Sequence, residues 1–187
     1  VAEVVAAGAQ DNASTSGTVV ATYARGFLIS DGTGYILTYL GSDSGLAIGD
    51  VVTVSGTTSM YGGLLQFASG STFEKTGTAE VTQPEPEVLD GAALDAYLDA
   101  PSIKYVQYTG TLNISGYYYN VNVDGASTAV GSIQYPAEGL VDATLHGKKI
   151  VVTGYSIGVS GTKYVNTMGI SVVAAEEEGG NEGGNEG

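Results

Sequence analysis

Apolar residues recur at every second position in short runs set between Gly, Asp and Ser, which is the pattern of half-buried β-strands. In the first half these runs cover residues 18–23, 27–29, 35–39 and 51–54. The second half answers with 105–109, 117–123 and 150–153. Each half adds a hairpin, at 60–66 and 159–164, around glycines suited to two-residue turns. Helical spacing is confined to 90–98, where Asp90 is placed to cap the N-terminus and Leu94 and Leu98 share a face, and to a stub at 2–7. The chain is therefore expected to be all-β, with one short helix and about five strands in each half.

The halves repeat a glycine frame. Gly17 to Asp31 and Gly110 to Asp124 are both steps of 14, and Gly49 to Gly56 and Gly147 to Gly154 are both steps of 7. The middle differs: Asp31 to Gly49 is 18 and Asp124 to Gly147 is 23, which places a five-residue insertion near Tyr135-Pro136-Ala137-Glu138. Insertions of that kind belong in loops. Alternating Pro and acid in Thr82-Gln83-Pro84-Glu85-Pro86-Glu87 favours extended, solvated chain and marks a boundary. The expected division is a barrel at 1–83, a linker with a short helix at 84–101, a second barrel at 102–175 and a Glu/Gly/Asn tail at 176–187. With nothing to bury, the tail is expected to be a disordered linker, leading to a further domain of a longer protein after residue 187.

Three segments carry a resemblance: Gly17-Thr18-Val19-Val20, the strand running through Gly26-Phe27-Leu28-Ile29-Ser30-Asp31-Gly32-Thr33-Gly34-Tyr35-Ile36, and Gly49-Asp50-Val51-Val52-Thr53-Val54-Ser55-Gly56. They resemble the OB-fold, a five-stranded Greek-key barrel. More narrowly, residues 1–175 look like the tandem OB-fold modules of secreted or surface lipoproteins of gut bacteroidetes, related to OB domains attached to secreted bacterial nucleases. In the second half Gly147-Lys148-Lys149-Ile150 replaces the Gly-Asp-x-Val step, and Asp124 falls one residue out of phase. The resemblance implies two tandem five-stranded OB-like barrels, each with a short helix, and a secreted or cell-surface location.

Composition narrows the chemistry. There is no Cys and one His, so thiol catalysis, disulfides and multi-His metal centres drop out. Gly154-Tyr155-Ser156-Ile157-Gly158 matches a nucleophile elbow, but no helix pattern and no later His follow, so it is expected to be a turn. His146 is expected to be a surface-turn residue. Asp31-Gly32-Thr33-Gly34 could offer oxygens to calcium but lacks the alternating acids of an EF-hand loop, and a β-turn explains it. No enzyme activity, cofactor or metal is expected, and no apolar run is long enough to span a membrane as a helix.

Tyrosine supplies 13 of the 16 aromatics. If Ile36 and Thr38 point into a barrel, the period of two turns Tyr35, Leu37 and Tyr39 outward as an aromatic platform, with Tyr117 and Tyr118 as counterparts in the second half. Such faces stack on sugar rings, bases or prolines, and the same tyrosines would equally cover an interface between two barrels. The net charge is −14, and six cations against the fifteen acids of residues 1–175 leave the body at −9. That charge ranks nucleic acid below a glycan or a protein partner, leaving Lys148, Lys149 and Lys163 as its candidate contacts. The expected function is a non-catalytic binding or spacer module, with single-stranded nucleic-acid binding through the OB faces as the alternative.

Overall fold

The computed structural model describes residues 1–176. A helix, α1 (Ala2–Ala7), is followed by β1 (Ala13–Tyr23), β2 (Gly26–Ser30), β3 (Tyr35–Tyr39), β4 (Asp50–Gly56), β5 (Thr58–Tyr61), β6 (Leu64–Phe67) and β7 (Thr72–Thr78). These strands form one seven-stranded sheet in the order β5-β6-β3-β2-β1-β4-β7. The second half consists of β8 (Glu87–Val88), α2 (Gly91–Tyr97), β9 (Tyr105–Ser115), β10 (Tyr118–Asn122), β11 (Val130–Ile133), a single 3-10 turn (Ala143–Leu145), β12 (Lys149–Ser160) and β13 (Tyr164–Ala174). Its order is β10-β11-β13-β12-β9-β8, and β10 also pairs with β9, so five strands close into a barrel. In each half the third strand runs parallel to the strand after the long hairpin, β3 to β6 and β11 to β13.

The first half holds more strands than its sequence pattern suggests because two runs are interrupted. Only Thr57 separates β4 from β5, and residues 68–71 separate β6 from β7. The two breaks face each other: a Cβ on Gly56 would sit 2.2 Å from Oγ of Ser71. Glycine permits that close approach.

Three clusters hold the molecule together. Val19, Phe27, Ile29, Ile36, Val52, Val54 and Phe67 fill the first sheet's core, with Val1 and Val4 packed on it at either side of the start of α1. Val106, Tyr108, Leu112, Val121, Ile133, Ile150, Val152 and Val165 fill the second barrel together with Leu89, Leu94 and Tyr97. Those last three residues lie in the segment expected to be a linker. Because α2 presents Leu94 and Tyr97 to the barrel, the segment after Pro86 is core-forming. Asp90 caps α2, accepting from the backbone N of Ala93 at 2.8 Å. The third cluster joins the halves: Val20, Ala21, Tyr23, Leu28 and Leu37 pack against Tyr155, Ile157 and Met168.

Two local expectations are corrected. The Gly-x-Ser-x-Gly segment is the interior of β12, where the register shifts at 153/154 and again between 156 and 159. Its glycines serve close approach: a Cβ on Gly154 would lie 2.2 Å from the Met168 carbonyl oxygen, and one on Gly158 2.7 Å from that of Gly62. The second hairpin turns through three residues, 161–163, where the first turns through two, Gly62 and Gly63. The tail expected at 176–187 lies, from residue 177 on, outside the described residues.

Candidate functional site

The period of two holds along β3. Ile36 and Thr38 are fully buried among the first sheet's core residues, and Tyr35, Leu37 and Tyr39 lie on the opposite face. Part of that face is covered, Tyr35 and the buried Leu37 included, so the fully open platform expected from the sequence is corrected. The Tyr35 ring centroid is 5.2 Å from that of Tyr155, which stands 5.1 Å from Tyr105, and Leu37 is buried. The Tyr155 hydroxyl donates to Oε1 of Gln83 at 2.6 Å, and Nε2 of Gln83 donates to the Val20 carbonyl at 2.8 Å, tying the connecting segment to both halves. Two backbone bonds also cross, from Ala24 N to Tyr135 O at 2.9 Å and from Val159 N to Gly62 O at 2.9 Å.

The second barrel covers only part of that face. At its open end lies a cavity of about 250 Å³ lined by Tyr23, Leu37, Tyr39, Tyr61, Gln66, Gln134, Tyr135, Ile157 and Asn166. A second cavity of about 530 Å³ adjoins it across Gln134 and Tyr135, and Arg25, Tyr117, Tyr118, Tyr119 and Ser132 line its far side. Together they form one cleft with Tyr135 at its waist. The four exposed tyrosines, Tyr61, Tyr117, Tyr118 and Tyr135, all line it. Among the described residues no carboxylate lines either cavity, and Arg25 is the one cation that does.

Tyr135 belongs to the insertion that separates the two repeats. Its ring meets Tyr23 edge-on with centroids 6.2 Å apart, and the Arg25 guanidinium lies 4.8 Å from its centre. It holds φ at 35°, a left-handed value that Tyr rarely takes. The following Pro136 disfavours the right-handed helical region for it, and its carbonyl is held by Ala24 N. Tyr23 is 4% exposed, and its hydroxyl has no protein partner among the described residues. Burial raises its pKa well above the ordinary tyrosine value, and the neighbouring Tyr39, Tyr135 and Tyr61 hydroxyls raise it further.

Of the residues expected to bind, Tyr39, Leu37, Tyr117 and Tyr118 line the cleft, whereas Tyr35 sits in the contact between the halves. The three lysines do not come together. Lys148 and Lys149 stand at the start of β12, and Lys163 lies in the turn beyond its far end. Lys149 is 2.7 Å from Oδ2 of Asp124, and Lys163 lies over the Tyr164 ring. The other candidate residues have structural partners. Ser156 is buried, donating to Ser102 O at 2.7 Å and accepting from Lys104 N at 3.1 Å. Nδ1 of His146 accepts from Ile114 N at 2.9 Å. Asp31 accepts from the N and Oγ1 of Thr33 and from the Val1 amino group, which holds its carboxyl below the usual range.

Sequence reasoning missed Tyr23, Arg25, Tyr61, Gln66, Gln134, Tyr135 and Asn166. The one available signal was the inserted Tyr-Pro step, an aromatic in a loop that the repeat does not need.

No family model matches the chain, and no curated protein matches it. Solved structures similar to it include the "Ifi202 HINa domain in complex with 20bp dsDNA", at 10% identity and TM-score 0.44, covering 86% of this chain and 94% of that one. Another is a "murine DNA binding protein bound with ds DNA", at 10% identity and TM-score 0.39, covering 90% and 98%. The ranking of nucleic acid below glycan and protein partners, drawn from net charge, is corrected at the cleft: among the described residues none of the acids on which that ranking rests lines it.

Proposed function

We propose that the chain is a non-catalytic binding module that holds single-stranded nucleic acid in the tyrosine cleft between its two halves. The observation that carries this is the gathering of the four exposed tyrosines into one cleft that no carboxylate of the described residues lines. Exposed tyrosine faces stack on unpaired bases, and every base has such a face. Duplex binding is disfavoured because it draws its affinity from many Lys and Arg contacts to phosphate. Here Lys75, Lys104 and Lys149 are each engaged by an acid, and Arg25 alone reaches the cleft. We further propose that both halves are versions of one OB-type unit. In that unit β4 with β5 corresponds to β12 and β6 with β7 to β13, which the shared parallel pairing of the third strand supports.

The test is fluorescence anisotropy of a labelled single-stranded oligonucleotide at two salt concentrations, with soluble glycans as competitors. Tyr117→Ala combined with Tyr118→Ala should weaken binding about 5- to 150-fold, as loss of one stacked base implies. With one arginine at the cleft, the log-log salt slope should stay near 0.7, the value for one phosphate on a single strand. Absence of oligonucleotide binding, or displacement by a neutral glycan, would overturn the proposal.

A further inference from the structure

The smaller cavity differs from the larger in what it offers a ligand. Tyr23 lines it with Tyr39, Tyr61 and Tyr135; its ring is buried, and its hydroxyl, which has no protein partner among the described residues, keeps contact with solvent. An occupant able to hydrogen-bond that hydroxyl would take the place of the water it otherwise meets. Gln66 enters from β6. It is the register partner of Leu37 and shares its face, and its amide makes no hydrogen bond among the described residues. The two other amides are partly committed. Gln134 Nε2 donates to Ser132 and Asn166 Oδ1 accepts from Ser160, leaving one acceptor and one donor group open. The cavity is thus uncharged, walled by aromatic rings, and carries one free amide able to pair two adjacent atoms at once.

We propose that this cavity is a pocket for one base turned out of the strand, read at its edge by Gln66, and that its preferred occupant is adenine. The proposal rests on the single-strand reading above and adds to it a base preference that stacking alone would not give. A free side-chain amide is the group that pairs bidentately with the amino nitrogen and adjacent ring nitrogen of adenine. Tyr135 separates this pocket from the cavity that holds Arg25, so the base would lie on one side of its ring and the chain's phosphate on the other.

The experiment measures binding of four homopolymeric single-stranded oligonucleotides, dA, dC, dG and dT, to the whole chain and to Gln66→Leu. Tyr23→Phe, which removes only the hydroxyl, serves as a second variant should Gln66→Leu fold poorly. Expected are about a fivefold or greater preference for dA in the parent and its collapse in Gln66→Leu and Tyr23→Phe, while affinity for dT stays within about twofold. Equal binding of all four homopolymers, or a dA preference that survives both substitutions, overturns this inference and leaves single-strand binding intact. If no homopolymer binds, single-strand binding itself falls and the pocket assignment falls with it.

Discussion

Replacing Tyr135 should reverse the usual order of alanine and glycine. At an ordinary site Ala is more stable than Gly by about 0.4–1 kcal/mol, because Gly leaves more freedom in the unfolded chain. At φ 35° the order changes, since a left-handed backbone costs a residue with a Cβ about 1–2 kcal/mol that Gly does not bear. The net advantage of Tyr135→Gly over Tyr135→Ala is then about 0–1.6 kcal/mol, with a centre of roughly 0.8 kcal/mol. Both variants lose the ring. Its edge contact with Tyr23 is worth ~0.5–1.5 kcal/mol, and the Arg25 contact at this half-exposed site ~0.5–1 kcal/mol. Tyr135→Ala should therefore lie about 1–2.5 kcal/mol below the parent, with Tyr135→Gly between them. Urea midpoints read at a common slope, checked by thermal melting at roughly 2–4 °C per kcal/mol, resolve the order. If Tyr135→Gly is no more stable than Tyr135→Ala, the left-handed backbone at Tyr135 carries no strain and this reasoning fails.

Thr38→Val should stabilise the chain by about 1 kcal/mol, because the Thr38 hydroxyl is fully buried in the first core with no partner; an unchanged or lower melting temperature would refute this. Above about pH 10 stability should fall, since burial raises the pKa of Tyr23, Tyr108 and Tyr155. The unfolded chain then loses those protons first, and the stability present below its pKa is lost as pH rises towards the folded values. Tyrosinate absorbance followed beside circular dichroism should show ionisation of these groups only together with unfolding. Asp95→Asn should lower the melting temperature at neutral pH, because the Asp95 carboxylate accepts from the N of Ser127, Thr128 and Ala129, and an amide turns an N–H towards one of those donors. The Asp95 pKa is depressed by those bonds, so the difference should be full above about pH 4 and shrink as pH falls through the folded value; a gap constant down to low pH would contradict it.

The faces of β3 were legible from sequence, since alternation alone places Ile36 and Thr38 inside and Tyr35, Leu37 and Tyr39 opposite. What covers the second face was not. That depends on how the second barrel docks, a matter settled by Tyr155, Ile157 and Met168, which lie more than 100 residues away. The same limit explains Gly154 and Gly158, which punctuate the sequence like turn residues. They are glycines because another backbone passes against them, and a local pattern carries no trace of that neighbour. Tyr135 stood out as part of an insertion, yet its pairing with Tyr23 and Arg25 needs the docked geometry. The candidate site was thus half visible: Tyr39 and Tyr118 by their strand positions and Tyr117 beside them in the turn before β10, the remaining residues only once the two halves met.

The acidity of the chain has a local explanation, and it changes what net charge implies about ligands. Asp31, Asp43, Asp90 and Asp142 each accept a backbone N–H two or three residues on, from Thr33, Gly45, Ala93 and Thr144; Asp50 accepts from Ala47 just before β4, and Asp95, within α2, holds the distant loop at residues 127–129. Short strands need many turns, and Asp is favoured there because its side chain bonds the backbone two or three residues on. Part of the negative charge therefore marks turns and helix starts. The walls of the cleft come from strand faces, the inserted loop and the turns that hold Arg25 and Tyr117, and they contribute Tyr, Gln and Asn. Exposed charges more than a Debye length apart, about 8 Å at physiological ionic strength, are largely screened from one another. A strand lying in the cleft would therefore meet mainly tyrosine faces and Arg25, and the carboxylates at the turns would lower its affinity without deciding where it binds.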